Sequence, residues 1–223
     1  MHFILFNLNI IVLVIWVAFL AFIAFRFFCG AWASSQNKFL SKVSLWVKDI
    51  SFKKLIVITF GLNIFYGLFV SWGQYYVWAN SSSDFLRALV NLPLPKETPM
   101  QYFEWIRPLF ENHLGYFLYY SFGRFWLYIL ISFLISGALY YLFKLWESHY
   151  GNFTENGPEL LLVLMLISGW PSILILIPLG FIFSILLSAV SYAMGKKVIK
   201  IEPAFIIATF ITLIFGRIIL GFL

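Results

Sequence analysis

The chain has 223 residues, of which 62% are hydrophobic, 22% aromatic and only 11% charged, and its mean hydropathy is +0.93. This composition excludes a water-soluble globular domain and indicates an integral membrane protein with several spans. The formal net charge of +6 does not indicate nucleic-acid binding, because six of the fifteen Lys and Arg lie in one segment beside an apolar run, which is typical of a membrane surface.

Runs of mainly apolar residues predict four membrane-spanning helices, since a span needs roughly 20 such residues. The runs cover about residues 3–25, 55–78, 122–143 and 203–223. We expect the first run to be a retained helix and not a cleaved signal peptide, because no basic residue precedes it and its apolar core is too long.

Residues 160–194 form an apolar block that is too long for one ordinary helix and too short for two full spans. The Gly-Trp-Pro sequence at 169–171 interrupts this block, because proline lacks a backbone donor and restricts the residue before it. We therefore predict a short helix over 159–169 and a full span over 172–194. The predicted fold is an all-α bundle of five full spans and one short helix, in a single membrane domain over the whole chain.

The distribution of Lys and Arg predicts which side of the membrane each loop faces, because cytoplasmic loops are enriched in these residues. The loop 26–54 and the turn 195–202 are basic, so both are expected in the cytoplasm. The amino terminus and the loop 79–116 are then expected on the outer side. Within 26–54, apolar residues recur at helical spacing, which predicts an amphipathic helix on the inner leaflet. The predicted contacts of this loop with anionic lipids or partners are Lys38, Lys42, Lys53 and Lys54.

The outer loop 79–116 does not have the composition of a disordered segment. Its pattern predicts two short amphipathic helices, over about 83–91 and 99–113, which Pro93 and Pro95 separate. We expect these two helices to pack as a small cap.

None of the nine Asp and Glu lies in the middle of a predicted span, so membrane depth marks none of them as functional. Glu147, Glu155 and Glu159 cluster with His149 in the predicted loop 144–159, where they could form an acid–base pair. Alternatively, this loop is solvated and caps the short helix. Glu159 favours capping, because a carboxylate in the first helical turn is favourable by up to about 1 kcal/mol.

Other polar residues give weaker signals. Glu104, Glu111 and His113 could offer metal ligands, but the last two are two residues apart and would not share a helix face, so no metal site is predicted. Cys29 has no second cysteine to pair with, which excludes an intramolecular disulfide and a redox pair. Nucleotide-binding, zinc-protease and serine-triad motifs are missing from the sequence, so no cofactor is predicted.

Two arginines indicate contact residues more clearly than the acids do. Arg124 lies near the outer end of the third predicted span, and Arg217 lies well inside the last one. A guanidinium at membrane depth needs a partner or a route to the surface, so both are predicted partner or lipid contacts.

The region from about 140 to 217 resembles the carboxyl-terminal part of the prepilin peptidase family, the type IV leader peptidases of the bacterial cytoplasmic membrane. Four parts follow the order of that family: a span that ends in YYLFKLWESHYG, the loop NFTENGPE, the short helix LLLVLMLISGW before a full span, and a basic turn before EPAFIIATFITLIFG. The last part resembles the Pro-Phe-Gly-Pro segment of the family, with Pro203 at its second proline and Glu202 at its glycine. The resemblance implies a location in the bacterial cytoplasmic (inner) membrane.

The catalytic residues of that family are missing. Its Gly-x-Gly-Asp signature is absent: Gly157 occupies the position of the catalytic aspartate, and Glu159 occupies a position that is usually lysine. The second catalytic aspartate and the four-cysteine zinc module have no counterpart. Since aspartyl chemistry needs two carboxylates that share a proton, this pattern favours a protein without catalytic activity.

The leading hypothesis is a non-catalytic inner-membrane subunit that retains part of this scaffold. It would assemble with other membrane proteins into an envelope complex, such as pilus, secretion or conjugation machinery. One alternative is an intramembrane aspartyl-type peptidase with displaced acids, in which Glu159 acts with Glu147 or Glu155. The other is a small membrane transporter, which the lack of mid-membrane charge disfavours and which internal inverted symmetry would favour.

Overall fold

The computed structural model describes residues 8–32, 47, 49–98, 100, 104–151, 153–154, 156–195 and 200–221. Every regular element in this part of the chain is a helix, which confirms the all-α prediction. The α-helices are α1 (Leu8–Trp32), α2 (Phe52–Ala79), α3 (Asp84–Val90), α4 (Gly115–Ser121), α5 (Leu127–Tyr150), α6 (Gly157–Ser168), α7 (Ile173–Ala193) and α8 (Glu202–Leu220). A 3₁₀ helix covers Glu104–Phe110, and a π-helical turn at Phe122–Trp126 joins α4 to α5.

Four stretches of the described chain are long and apolar enough to cross a membrane, judged by length and composition. They are Ile10–Phe28, Phe52–Ala79, Gly115–His149 and Ile173–Ala193. These helices support the prediction of a membrane protein with several spans. The predicted fifth full span is not confirmed, because the apolar part of α8 is the shorter stretch Glu202–Gly216. The third stretch is longer than predicted, because α4 and the π-helical turn extend α5 toward its amino end.

The predicted break at 169–171 is confirmed, since α6 ends at Ser168 and α7 begins at Ile173. Gly169 has a φ of +66°, a conformation that residues with a Cβ rarely adopt, so glycine suits this turn. At the other end of α6, a proline occupies the first turn, where its missing N–H would have no helical acceptor. Sequence signals therefore bound this 12-residue helix at both ends.

Contacts within the chain form two compact units. The α6 unit comprises Met1–Gly61 and Ser132–Leu223, and the cap unit comprises Leu62–Ile131. In the α6 unit, all residues from 160 to 167 are buried, so α6 forms the centre of its core. Other helices of this unit surround it with Leu20 and Ile23 of α1, Leu55 of α2, Leu176 of α7 and Phe205 of α8.

The chain reverses direction between α6 and α7, and α8 runs antiparallel to α7. A Cβ at Gly180 of α7 would lie 2.5 Å from the Phe205 ring, near the start of α8. A Cβ at Gly216, near the end of α8, would lie 3.6 Å from the hydroxyl of Ser172, just before α7. The two contacts occur in opposite order along the two helices. Glycine at both positions allows this close antiparallel packing.

The cap unit contains α3 and the 3₁₀ helix. The prediction of a helix over 83–91 is confirmed by α3. The helix predicted over 99–113 is shorter in the described chain and is of 3₁₀ type, because Pro108 lies inside it and lacks an N–H for a regular α-helical bond. Two small cores hold this unit: Trp78, Val90 and Phe117 form one, and Leu94, Met100 and Phe110 form the other.

Candidate functional site

Glu202, in the first turn of α8, is 0% exposed and is the one fully buried charged residue of the described chain. Its Oε1 atom accepts hydrogen bonds from the backbone N–H and from the hydroxyl of Thr154, the latter at 2.7 Å. Its Oε2 atom is also buried and has no hydrogen-bond partner among the described residues. Because a buried carboxylate is unfavourable without hydrogen bonds, Thr154 is bound tightly to the start of α8.

The loop between α5 and α6 approaches Glu202 closely because Gly157, the first residue of α6, has no side chain. A Cβ at this position would lie 2.5 Å from Glu202 Oε1 and 2.7 Å from the Cβ of Phe153. Lys200 binds the same loop, since its Nζ donates to the carbonyl of Phe153 at 2.8 Å. The loop is therefore attached at two points to the segment that leads into α8.

Aromatic rings form an apolar shell beside the carboxylate. The buried ring of Phe153 contacts Phe143 and Trp146 of α5 at centroid distances of 6.0 and 6.1 Å. Phe205, one turn after the carboxylate, contacts Phe143 at 6.1 Å and Phe181 of α7 at 5.6 Å. These edge-to-face contacts join α5, α7, α8 and the loop. Their low local dielectric strengthens the hydrogen bonds of the carboxylate.

Glu159 lies in the first turn of α6, as predicted, and is half-buried. The hydroxyl of Tyr140 in α5 donates to its Oε1 at 3.2 Å, and the Nζ of Lys144 donates to that hydroxyl at 3.5 Å. The carboxylate is therefore favourable at the amino end of α6 and also connects α6 to α5. The sequence predicted the first contribution and gave no indication of the second.

The acids considered for catalysis are not brought together among the described residues. Glu147 and His149 lie in α5, which continues past 143, so the predicted loop is wrong at its start. The helix continues because Lys, Leu and Glu are good helix formers. His149 Nδ1 lies 2.9 Å from the Leu145 carbonyl, and Glu155 is outside the described residues. Of the described acids in this set, Glu159 accepts a hydrogen bond from Tyr140.

The lysines predicted to contact lipid are described in part. Lys38 and Lys42 lie outside the described residues, as does most of the amphipathic helix predicted within 26–54. Lys53 and Lys54 are exposed in the first turn of α2. These two side chains are therefore available to anionic headgroups at that end of the helix.

The two arginines predicted as contacts, and the arginine of the predicted basic loop, are described in part. Arg26 belongs to α1 and not to a loop as predicted, because the residues that follow it are apolar and continue the helix. Its Nε donates to the Ile50 carbonyl at 3.0 Å, and its guanidinium lies 5.0 Å from the centroid of the Phe52 ring. Arg124 is exposed in the π-helical turn, and the side chain of Arg217 is outside the described part.

The described residues contain no group of three His, Cys, Asp or Glu that could hold a metal ion. Glu104 instead pairs with Arg107, whose Nε donates to Glu104 Oε1 at 2.6 Å. This hydrogen bond raises the pKa of the Arg107 guanidinium. Arg107 also donates to the Thr98 carbonyl at 2.7 Å, so it stabilises the turn before the 3₁₀ helix.

The chemistry available around Glu202 is that of one buried carboxylate. One of its oxygens is occupied by Thr154, and the other can accept one further hydrogen bond. The other described acid near the start of α6, Glu159, binds a different donor. The arrangement therefore differs from the paired carboxylates of an aspartyl protease.

No protein-family model, curated protein or solved structure matches the chain. The comparisons therefore assign no family. The resemblance of region 140–217 to prepilin peptidases stays a prediction.

Glu202 is the site residue that sequence analysis missed, since it was matched only to a glycine of the resembling family. A usable signal was present: Glu202 directly precedes Pro203 at the start of an apolar run. This order places a carboxylate in the first turn of a helix whose next residues are buried. The sequence did not show that Thr154 would bind this carboxylate, because the two residues are 48 positions apart.

Proposed function

We propose that the protein is a non-catalytic integral membrane subunit that assembles with other membrane proteins into an envelope complex. We propose also that it retains part of a prepilin-peptidase-like scaffold. The observation that carries this proposal is the pair of hydrogen bonds from Thr154 to the Glu202 carboxylate, which hold the loop before α6. A buried acid in this role stabilises the fold, and its donor, Thr154, differs from the donor of Glu159, which is Tyr140.

The peptidase alternative has less support. An aspartyl-type site needs two carboxylates near enough to share a proton. Glu202 accepts hydrogen bonds from Thr154, whereas Glu159 accepts one from Tyr140. Each carboxylate therefore has its own neutral donor, in contrast to a pair with one shared proton.

The burial of α6 supports a structural role and directs partner contacts to other helices. Because residues 160–167 are buried, α6 offers no surface to a partner. By contrast, α7 exposes large side chains at the helical spacing of a single face: Ile182, Ile185, Leu186 and Val190. We place the contact with a partner membrane helix on this face, named here the α7 face.

We further propose an orientation in the bacterial cytoplasmic membrane, with the amino terminus outside and α8 crossing as a fifth full span. The support is the positive-inside rule. Lys53 and Lys54 begin α2 and are exposed, and Lys200 lies just before α8. In this orientation the lysines of α2 face the anionic inner leaflet.

Purification from native membranes in mild detergent, followed by mass spectrometry, tests the subunit proposal. We expect defined membrane proteins to copurify with the wild-type chain. The double substitution Ile185→Ser and Leu186→Ser on the α7 face should reduce their recovery. Val57→Ser, at an exposed apolar position of α2, is the matched control and should retain them. A solitary, monodisperse chain from native membranes would contradict the proposal.

A second measurement addresses the peptidase alternative. Glu159→Gln and Glu202→Gln are tested for processing of a pilin-like precursor and for copurification of partners. We expect no processing by the wild-type protein. Processing that is present in the wild type and lost in both variants, while partners are still recovered, would favour the peptidase.

A further inference from the structure

The short helical segments of the cap unit have apolar residues on their inner sides. In α3, Val90 is buried with Trp78 of α2 and Phe117 of α4. In the 3₁₀ helix, Phe110 is buried with a second core. Each segment therefore already has one apolar face that packs within the unit.

The outer sides of the same two segments also carry large exposed apolar residues, beside ion-paired charged ones. Phe85 of α3 is 70% exposed, while Trp105 and Leu109 of the 3₁₀ helix are 78% and 64% exposed. A segment that packs one apolar side against its own unit and exposes large apolar residues on the other needs a second apolar environment.

Backbone hydrogen bonds hold these segments at the end of a candidate span. The Tyr116 N–H, in the first turn of α4, donates to the Leu92 carbonyl at 3.0 Å. The Leu94 N–H donates to the Phe110 carbonyl at 3.1 Å. The connection therefore lies against the first residues of α4 and does not extend freely away from them.

The helix end beside these segments carries exposed aromatic residues. Trp72 and Tyr75 of α2 are exposed, and α2 ends at Ala79. Tryptophan and tyrosine favour the boundary between headgroups and acyl chains. Phe85 and Trp105 are further exposed aromatic residues, in the segments that follow this helix end along the chain.

Charge does not favour a polyanionic partner for this surface. Arg87 forms an ion pair with Asp84, and Arg107 forms one with Glu104. Since acids within the same segments neutralise these two cations, attraction to acidic lipids is not the main force. The apolar residues supply the attraction instead.

We propose that the outer sides of α3 and the 3₁₀ helix insert into the lipid headgroup region of the leaflet at this end of α2 and α4, with Phe85, Trp105 and Leu109 as the anchors. The occupant of this surface is lipid. The two segments are monotopic elements of a polytopic protein, and they fix the depth of the neighbouring spans.

Spin labels test the insertion in purified protein reconstituted into nanodiscs of zwitterionic phosphatidylcholine. In a Cys29→Ser background, a nitroxide is attached to Phe85→Cys, Trp105→Cys or Leu109→Cys. Glu97→Cys, at an exposed polar turn, is the aqueous control, and Phe65→Cys, exposed in the middle of α2, is the acyl-chain control. The ratio of collision with oxygen to collision with a water-soluble nickel complex should lie between the two controls at all three positions.

The other outcomes contradict the proposal. Ratios equal to that of the aqueous control would show that the segments project into water. Low collision with both reagents would show that a second copy of the chain covers the surface. Anchoring that appears only after anionic lipid is added would show electrostatic adsorption in place of apolar insertion.

An independent measurement needs no cysteine substitution and replaces one tryptophan at a time. Lipids brominated near the carbonyl should quench the tryptophan fluorescence of the wild-type protein, and Trp105→Phe should lose a measurable part of that quenching. The matched control Trp72→Phe should lose a comparable part, because Trp72 is exposed near the end of α2. If Trp105→Phe leaves the quenching unchanged, Trp105 does not contact lipid and the proposal is wrong.

Discussion

Glu202 and Glu159 show how two glutamates at helix starts acquire different environments. Both lie in the first turn of an apolar helix. Glu202 is buried and bound by Thr154, whereas Glu159 is half-buried and bound by Tyr140. The difference arises from tertiary contacts, because Thr154 of the loop between α5 and α6 binds one carboxylate and Tyr140 of α5 binds the other.

The hydrogen bond from Thr154 to Glu202 should contribute measurably to stability. Thr154→Val removes the hydroxyl donor and should lower the free energy of unfolding by about 1–2 kcal/mol, because the acceptor is a buried carboxylate. Thr212→Val is the matched control, since the Thr212 hydroxyl is buried without a partner in the described chain. It should leave stability unchanged or raise it. Tryptophan fluorescence during thermal unfolding in detergent measures both, and equal losses would contradict the assignment.

The absence of a side chain at Gly157 should also be required for full stability. Gly157→Ala would place a methyl group against Glu202 and Phe153 and should lower the free energy of unfolding by about 1–3 kcal/mol. Gly137→Ala in α5 meets no atom within 4 Å and should be neutral or stabilising by up to about 1 kcal/mol. The same unfolding measurement separates them. A Gly157→Ala protein as stable as the wild type would show that the loop does not approach the carboxylate.

At this scale the sequence predicted the position of Glu159 in the first helical turn, because local order alone determines it. It could not predict the binding of Thr154 to Glu202 or of Lys200 to Phe153. These contacts join residues 48 and 47 positions apart, and a sequence pattern does not specify such pairs.

At the scale of elements, the α6 unit is built around a helix too short to cross a membrane. The glycine at 169 and the proline at 171 determine where α6 stops, since both disfavour a continuous helix. The return of the chain along α7 is determined by packing. Close antiparallel contact of α7 with α8 depends on the small residues Gly180 and Gly216.

The α7–α8 contact can be tested at its closest point. Gly180→Ala would place a methyl group 2.5–2.7 Å from three atoms of the Phe205 ring, and this ring also contacts Phe143 of α5 and Phe181 of α7. We expect the free energy of unfolding to fall by about 1–3 kcal/mol. Gly61→Ala of α2 is the control, because it meets no atom within 4 Å. The unfolding temperature of the control in detergent should therefore be unchanged or slightly higher. Equal stability of the two variants would contradict the close packing.

At the scale of the whole molecule, the proposed orientation rests on charge and not on packing. The basic segment before α2 and the basic turn before α8 contain most of the cationic residues at span ends. Cytoplasmic loops are enriched in Lys and Arg because such loops are translocated poorly. The proposed fifth span and the proposed orientation are coupled, since the side on which α8 ends depends on both.

Labelling of single cysteines in intact cells tests this orientation in a Cys29→Ser background. Glu97→Cys and Gly221→Cys should react with a membrane-impermeant maleimide added outside. Lys53→Cys should react only after the membrane is permeabilised. Reaction of Lys53→Cys from outside would reverse the orientation, and protection of Gly221→Cys would show that α8 does not cross completely.

The sequence by itself determined that the described chain is helical, that it has several helices apolar enough to cross a membrane, and where the break after α6 lies. These features depend on composition, run length and the conformational limits of glycine and proline, all of which are local. Tertiary structure decided that α6 lies at the centre of a core, that Glu202 is buried, and that apolar residues of α3 and the 3₁₀ helix are exposed. Those outcomes depend on which distant surfaces meet, and an apolar sequence does not distinguish a surface that faces protein from one that faces lipid.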